Sequence, residues 1–177
     1  MLRANNGFMV RVDSVLNSWK AVREDTAQAV EDFAAHSLDY RPCADLMTFG
    51  EIARHILQAG HGLSGMLLDE VESLATPQFR DQIGKYVAEL PKTEDPASLA
   101  RELRANMERR AAEFAAKPAQ FYAAEMTRMD GQRATRLEML QFIKEHELTH
   151  RQQLFVYLRL NGVVPSTTRR RQAKAKA

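Results

Sequence analysis

The stretch Thr135–Gly162, TRLEMLQFIKEHELTHRQQLFVYLRLNG, reads as one long helix, and its reading decides the fold. It opens on a capping box, in which the Thr135 hydroxyl takes an orphan N–H and Glu138 reaches back. It closes at Gly162, the residue best able to adopt the left-handed conformation past a helix end. No Pro or Gly interrupts the residues between, roughly 39 Å of helix at 1.5 Å per residue. Met139, Ile143, His146, His150, Leu154 and Tyr157 recur at steps of three and four, so they share the face that turns inward. Two of these are imidazoles at i and i+4. Buried imidazoles need partners, because leaving them unpaired costs free energy. A divalent metal is one solution, and hydrogen-bonded core histidines are the other.

The pair also spells H-E-x-x-H, with Glu147 where a metalloprotease has its general base. The context argues against a protease. A catalytic zinc usually takes a third protein ligand, which in such proteases lies downstream. After His150 the chain has no His, Asp, Glu or Cys. A third ligand must therefore lie upstream. Glu147 points about 100° away from His146 around the helix, and is read as a surface salt-bridge residue. Tyr157 is read as core, at the edge of any pocket.

Working outward, Phe8–His36 has a helical pattern through Val12, Val15, Leu16, Trp19, Val22, Ala27, Val30 and Phe33, after a loose start at residues 1–7. Trp19 is read as core or cavity wall, and His36 as structural near a helix C-terminus. SLDYRPCADLM (37–47) is a turn region, since Pro42 bars a simple helix continuation. A second capping box, Thr48 to Glu51, starts a helix to about Leu68 with the inward stripe Ile52, His55, Ile56, Ala59 and Leu63. His55 thus has the same setting as His146 and His150, whereas His61 faces elsewhere. Glycines 60, 62 and 65 permit either close helix approach or room for a ligand. Residues 69–95 form a long connection with a short helix at Phe79–Leu90, which allows a crossover between parallel neighbours.

Asp95-Pro96 begins a third helix to about Ala116, striped by Leu99, Leu103, Met107, Ala111 and Phe114. Its charges, Arg101, Glu102, Arg104, Glu108, Arg109 and Arg110, are read as a solvated face. Lys117–Arg133 is an irregular link with a short extended piece at Phe121–Met126. The expected architecture is all-α, in keeping with the abundance of helix formers and only 8 Gly and 6 Pro in 177 residues. The single Cys43 excludes an intramolecular disulfide and a Cys-based zinc cluster. No signal peptide or membrane-length apolar run is visible, which makes a cytoplasmic protein the expectation.

The formal charge of +2 conceals a division. STTRRRQAKAKA (166–177) carries five positives and no negatives, so subtracting five from +2 leaves −3 for the remainder. The expected organisation is one domain over residues 1–165 and a basic, disordered tail over 166–177. Such a tail binds nucleic acid weakly and without specificity. Specific recognition is not expected, because the rest of the chain has no basic stripe with interleaved aromatics.

Two segments, LDYRPCADLMTFGEIARHI (38–56) and EHELTHRQQLFVYLRLNGVVP (145–165), give the chain its resemblance to the DinB/YfiT-like metalloenzymes. That family has a Tyr-Arg-Pro turn before its second helix and a histidine within it. Its last helix carries H-x-x-x-H-R-x-Q, a YLR-type run, then glycine and proline. The resemblance covers most of the chain in order and spacing. It departs at Gln152, where the family commonly has glycine, and in the added basic tail.

The resemblance implies an up-down-down-up four-helix bundle with a long crossover between helices two and three, often as a homodimer. It implies a metal triad at His55, His146 and His150, with Arg151 and Gln153 as the polar pair beside it. The metal is open between zinc, nickel, iron(II) and copper. Relatives of known role include S-transferases and isomerases that use low-molecular-weight thiols such as bacillithiol or mycothiol. The expectation is therefore thiol-dependent chemistry on a small electrophile through a metal-bound thiolate. A metal-dependent hydrolase using metal-bound hydroxide, and a non-catalytic metal- or ligand-binding stress protein, are the alternatives.

Overall fold

Local signals fix where the helices begin. The computed structural model describes residues 10–34, 37–93 and 95–176. Residues 1–7 and His36, read above as a loose start and a structural histidine, lie outside them. The described residues are mostly helical. Helix α1 spans Val12–Asp32, α2 Phe49–Leu68, α3 Phe79–Val87, α4 Pro96–Ala115, α5 Ala119–Ala123, α6 Arg136–Leu160 and α7 Ser166–Lys174. Strands β1 (Glu125–Thr127) and β2 (Arg133–Thr135) form one antiparallel hairpin.

Both expected capping boxes are present. Thr48 accepts from the Glu51 N–H while Glu51 accepts from the Thr48 N–H, and Thr135 and Glu138 do the same for α6. Asp95 and Ser98 form a third on α4, with Pro96 at its first position. Each box satisfies two of the N–H groups that a helix start leaves without partners. Gly162 has φ +76°, just past Asn161 at the end of α6, as the sequence requires there.

Helix α1 packs against α4 and α6, and α2 packs against α6, α3 and α4. The predicted stripes turn inward. Leu99, Leu103, Met107, Ala111 and Phe114 of α4 are buried, as are Ile52, Ile56, Ala59 and Leu63 of α2. The glycines of α2 resolve toward close approach. A Cβ at Gly62 would collide with the Ile83 side chain, one at Gly65 with Tyr86, and one at Gly60 with the Arg23 guanidinium. Glycine here lets α3 and Arg23 lie directly on the α2 backbone.

Three expectations are corrected. Phe121–Ala123 is helical, and the extended piece is Glu125–Thr127, paired with Arg133–Thr135 and bridged to the connection at Ser73. Arg110 on α4 is not on a solvated face. It is buried and donates to the imidazole and carbonyl of buried His61. The basic tail is not disordered across 166–174. It forms α7, where Arg169 pairs with Asp32 at 2.8 Å and Arg170 with Asp25 at 2.6 Å, both on α1.

The most buried charges join α1 to α6. Arg23 and Glu147 are 1% and 2% exposed and lie 2.8 Å apart. The Glu147 carboxylate also accepts from Trp19 Nε1 at 2.7 Å and Thr26 Oγ1 at 2.9 Å. The surface role expected for Glu147 is thereby overturned. Four donor groups on three α1 side chains offset the cost of taking its charge out of water. Removing one member leaves the other charged and unpaired. Glu147→Ala should therefore lower stability by about 3–5 kcal/mol, measured by chemical denaturation. A loss below ~1 kcal/mol would show that the pair is not buried as described.

Candidate metal centre

His55 projects from α2 and His146 and His150 from α6, where those two helices pack together. The three rings have centroids 4.5–5.0 Å apart. Their potential ligand nitrogens all lie within 4.8 Å of one another, and each ring is half-buried. His55 Nε2 and His146 Nε2 are 3.2 Å apart. Two nitrogens bound at ~2.0–2.1 Å to one tetrahedral ion would lie about 3.3 Å apart. The donor chemistry and spacing thus fit a divalent metal.

Neutral imidazoles are the form a metal requires. Burial, followed by the neighbouring His150 and His55 and opposed by Glu147, pulls His146 down to about 4. Burial, followed by His150, also lowers His55. Gln153, one turn on, meets His150 Nδ1 through its Oε1 at 2.9 Å. With Nδ1–H donating, this contact orients the ring and leaves Nε2 as the nitrogen available to a metal.

The polar pair expected beside the triad is split. Gln153 touches His150, but Arg151 turns to α1, 3.5 Å from Asp25, and covers the Phe155 ring. Glu147 is likewise withdrawn. Its carboxylate is consumed by Trp19, Arg23 and Thr26 of α1, so the H-E-x-x-H spacing does not place a base over the histidines. Trp19, expected as core or cavity wall, is buried and serves as one of those donors. The sequence signal for this network was available in the α1 period, where Trp19, Arg23 and Thr26 follow i, i+4, i+7.

The turn region overhangs the triad. Phe49 N–H donates to Tyr40 O at 2.9 Å, Gly50 N–H to Leu38 O at 2.8 Å, and the Tyr157 hydroxyl to Met47 O at 2.9 Å. These bonds pin residues 38–47 between α2 and α6. Two open depressions result. One of about 540 Å³ is bordered by His55, Arg41, Arg54 and Gln58. The other, about 340 Å³, is bordered by His150, Gln153, Val156 and Tyr157. Asp45, Leu46 and Met47 border both, so the depressions flank the histidines on either side of the turn. Tyr157 is 4% exposed and does both jobs, core packing and pocket edge.

Comparison with known proteins bears on the fold and the family. A DinB-like protein from Bacillus subtilis, known from its crystal structure, is similar with a TM-score of 0.64 at 21% identity, over 84% of this chain and 92% of that one. At that identity the likeness speaks to the fold alone. No curated protein matches the sequence significantly. The family model described as DinB family matches residues 1–176, a span that includes all three histidines and α7. The chain belongs to the DinB family.

Proposed function

We propose that His55, His146 and His150 hold one divalent metal, and that the protein is a thiol-dependent S-transferase or isomerase acting on a small electrophile. The observation that carries this reading is the convergence of three imidazoles from two helices between two open depressions. Three protein ligands leave a coordination position free, as a catalytic site needs. When bound, the metal supplies Lewis acidity that lowers the pKa of a coordinated thiol.

The chain's own residues do the rest. The triad fixes where sulfur lies, and Gln153 holds the His150 ring in orientation. Leu46 and Met47 offer an exposed apolar rim for the electrophile. Sulfur gives up its proton to solvent and forms a bond to the electrophilic carbon, from which a leaving group departs with its electron pair. Thiol chemistry is favoured over hydrolysis because sulfur needs no positioned base once its pKa is lowered. Of the two carboxylates adjacent to His146, Glu147 is bonded to α1 and Glu145 accepts from the Gln141 amide at the surface.

The up-down-down-up bundle, with residues 69–95 as its crossover, belongs to the same proposal. It is supported by α1 and α2 each packing on both α4 and α6. A homodimer is also proposed, with Val156 and Leu160, exposed at i and i+4 on α6, suited to a subunit contact.

Elemental analysis of the purified protein should find about one equivalent of divalent metal, lost in His55→Ala and in His146→Ala while both stay helical. The metal-loaded protein should then consume a small thiol and an electrophile together. Hydrolysis of the electrophile without thiol would favour the hydrolase, and tight binding without turnover the stress protein. A wild type that takes up no metal on reconstitution would end the proposal.

The metal-free protein should show a second signature. His146 titrates near 4 when folded and near 6.5 when unfolded, so the unfolded chain binds its proton first. The stability linked to His146 is therefore complete above about pH 6.5 and is lost as pH falls toward about 4. Thermal melts across that window should fall more steeply in wild type than in His146→Ala. Parallel slopes would refute the assignment.

A further inference from the structure

The larger depression beside the triad is bordered by two arginines, Arg41 and Arg54, that the metal chemistry does not use. On α2, Arg54 and His55 both border this depression, with Gln58 one turn on from the pair. Arg41 faces the same space from the overhanging turn. A second depression of about 340 Å³ continues from the first through the shared Arg54 and Gln58, and Lys92 lines its far side.

The two guanidiniums are poorly satisfied. Arg54 donates to the Thr93 carbonyl at 3.3–3.4 Å, and Arg41 to the Ala44 carbonyl at 3.4 Å. Both contacts are long and neutral. Eleven other described arginines, among them Arg23, Arg104 and Arg170, pair with a carboxylate within 4.0 Å, which neither Arg41 nor Arg54 does.

Asp45 and Glu51 share the lining; the Glu51 carboxylate is bonded at 2.6 Å to the Thr48 N–H in the capping box and feels the charges of Arg41 and Arg54 without forming an ion pair with either. Arg41 is also positioned in advance. Its neighbour Tyr40 is tied by its carbonyl to the first residue of α2, and its ring meets Tyr157 edge-on. Guanidiniums with donors in a fixed fork are suited to carboxylates, which they engage in pairs of parallel hydrogen bonds.

We propose that Arg41 and Arg54 bind a carboxylate of the substrate, and that the molecule whose sulfur is presented to the triad is an acidic thiol. This rests on the thiol reading above and adds to it a substrate class and two specificity residues. The carboxylate lies in the Arg41–Arg54 depression and the thiol at the histidines, so one small molecule spans both. Uncharged or amine-bearing thiols lack the first contact and bind more weakly.

The test separates the anion wall from the metal. Succinate, which carries no thiol, is titrated calorimetrically into the metal-free protein at pH 7.5. It should bind wild type and His146→Ala with affinities within about twofold of each other, since His146 does not line the Arg41–Arg54 depression. Arg41→Gln and Arg54→Gln, both at side chains outside the core and checked for helicity, should each weaken it by about tenfold. Mercaptosuccinate should bind the zinc-loaded protein more tightly than 2-mercaptoethanol does, and lose that margin in Arg54→Gln. No succinate binding by wild type, or binding indifferent to both arginine substitutions, overturns the proposal. In that event, binding of 2-mercaptoethanol to the zinc-loaded protein would still uphold the thiol reading, and its failure beside intact succinate binding would refute that reading alone.

Discussion

The buried ion pair between Arg23 and Glu147 is the constraint on which the arrangement of the site depends. Glu147 follows His146 directly on α6, and consecutive residues on a helix diverge by about 100°. Once Trp19, Arg23 and Thr26 hold Glu147 against α1, His146 and His150 turn toward α2, where His55 stands. Rotating α6 to send the histidines elsewhere would strip a buried carboxylate of its donors. The ion pair thus does for orientation what an apolar contact at the same place would do loosely. Hydrogen bonds have direction, and dispersion contacts do not.

Close approach at α2 works to the same end. Gly60 leaves space for the Arg23 guanidinium that reaches Glu147, so a residue without a side chain supports the charge network. Gly62 and Gly65 admit Ile83 and Tyr86, which seats α3 against the stretch of α2 about two turns past His55. His61 turns instead to α4, where it is buried against Asn106 and Arg110. The two histidines of α2 therefore sit in different surroundings, one open to a depression and one sealed among polar partners.

Much of this was legible in the sequence because it is written locally. Capping boxes at Thr48 and Thr135, the Asp95-Pro96 start and the stripes of α2, α4 and α6 need only a few adjacent residues to be read. The three histidines shared one property, an inward position on an apolar stripe, and the fold brings them together. What was missed depends on distant partners. Glu147 looks like a surface residue until Trp19, Arg23 and Thr26, more than a hundred residues earlier, are placed against it. The helix at 166–174 is hidden in the same way, since its arginines acquire partners only when Asp25 and Asp32 of α1 come alongside. The β-hairpin escaped because three-residue strands carry too little alternation to stand out.

The two sets of ion pairs on α1 differ in their access to water, and this gives the molecule two responses to ionic strength. Arg23 and Glu147 are sealed from solvent, and dissolved ions cannot come between them. The pairs that hold α7 involve the exposed Arg169 and Arg170, within reach of counterions that screen charge over about 8 Å at physiological salt. Rising salt therefore loosens the C-terminal helix while the face of α1 that aims the histidines keeps its grip. The end of the chain is adjustable by its medium, and the site is insulated from that adjustment.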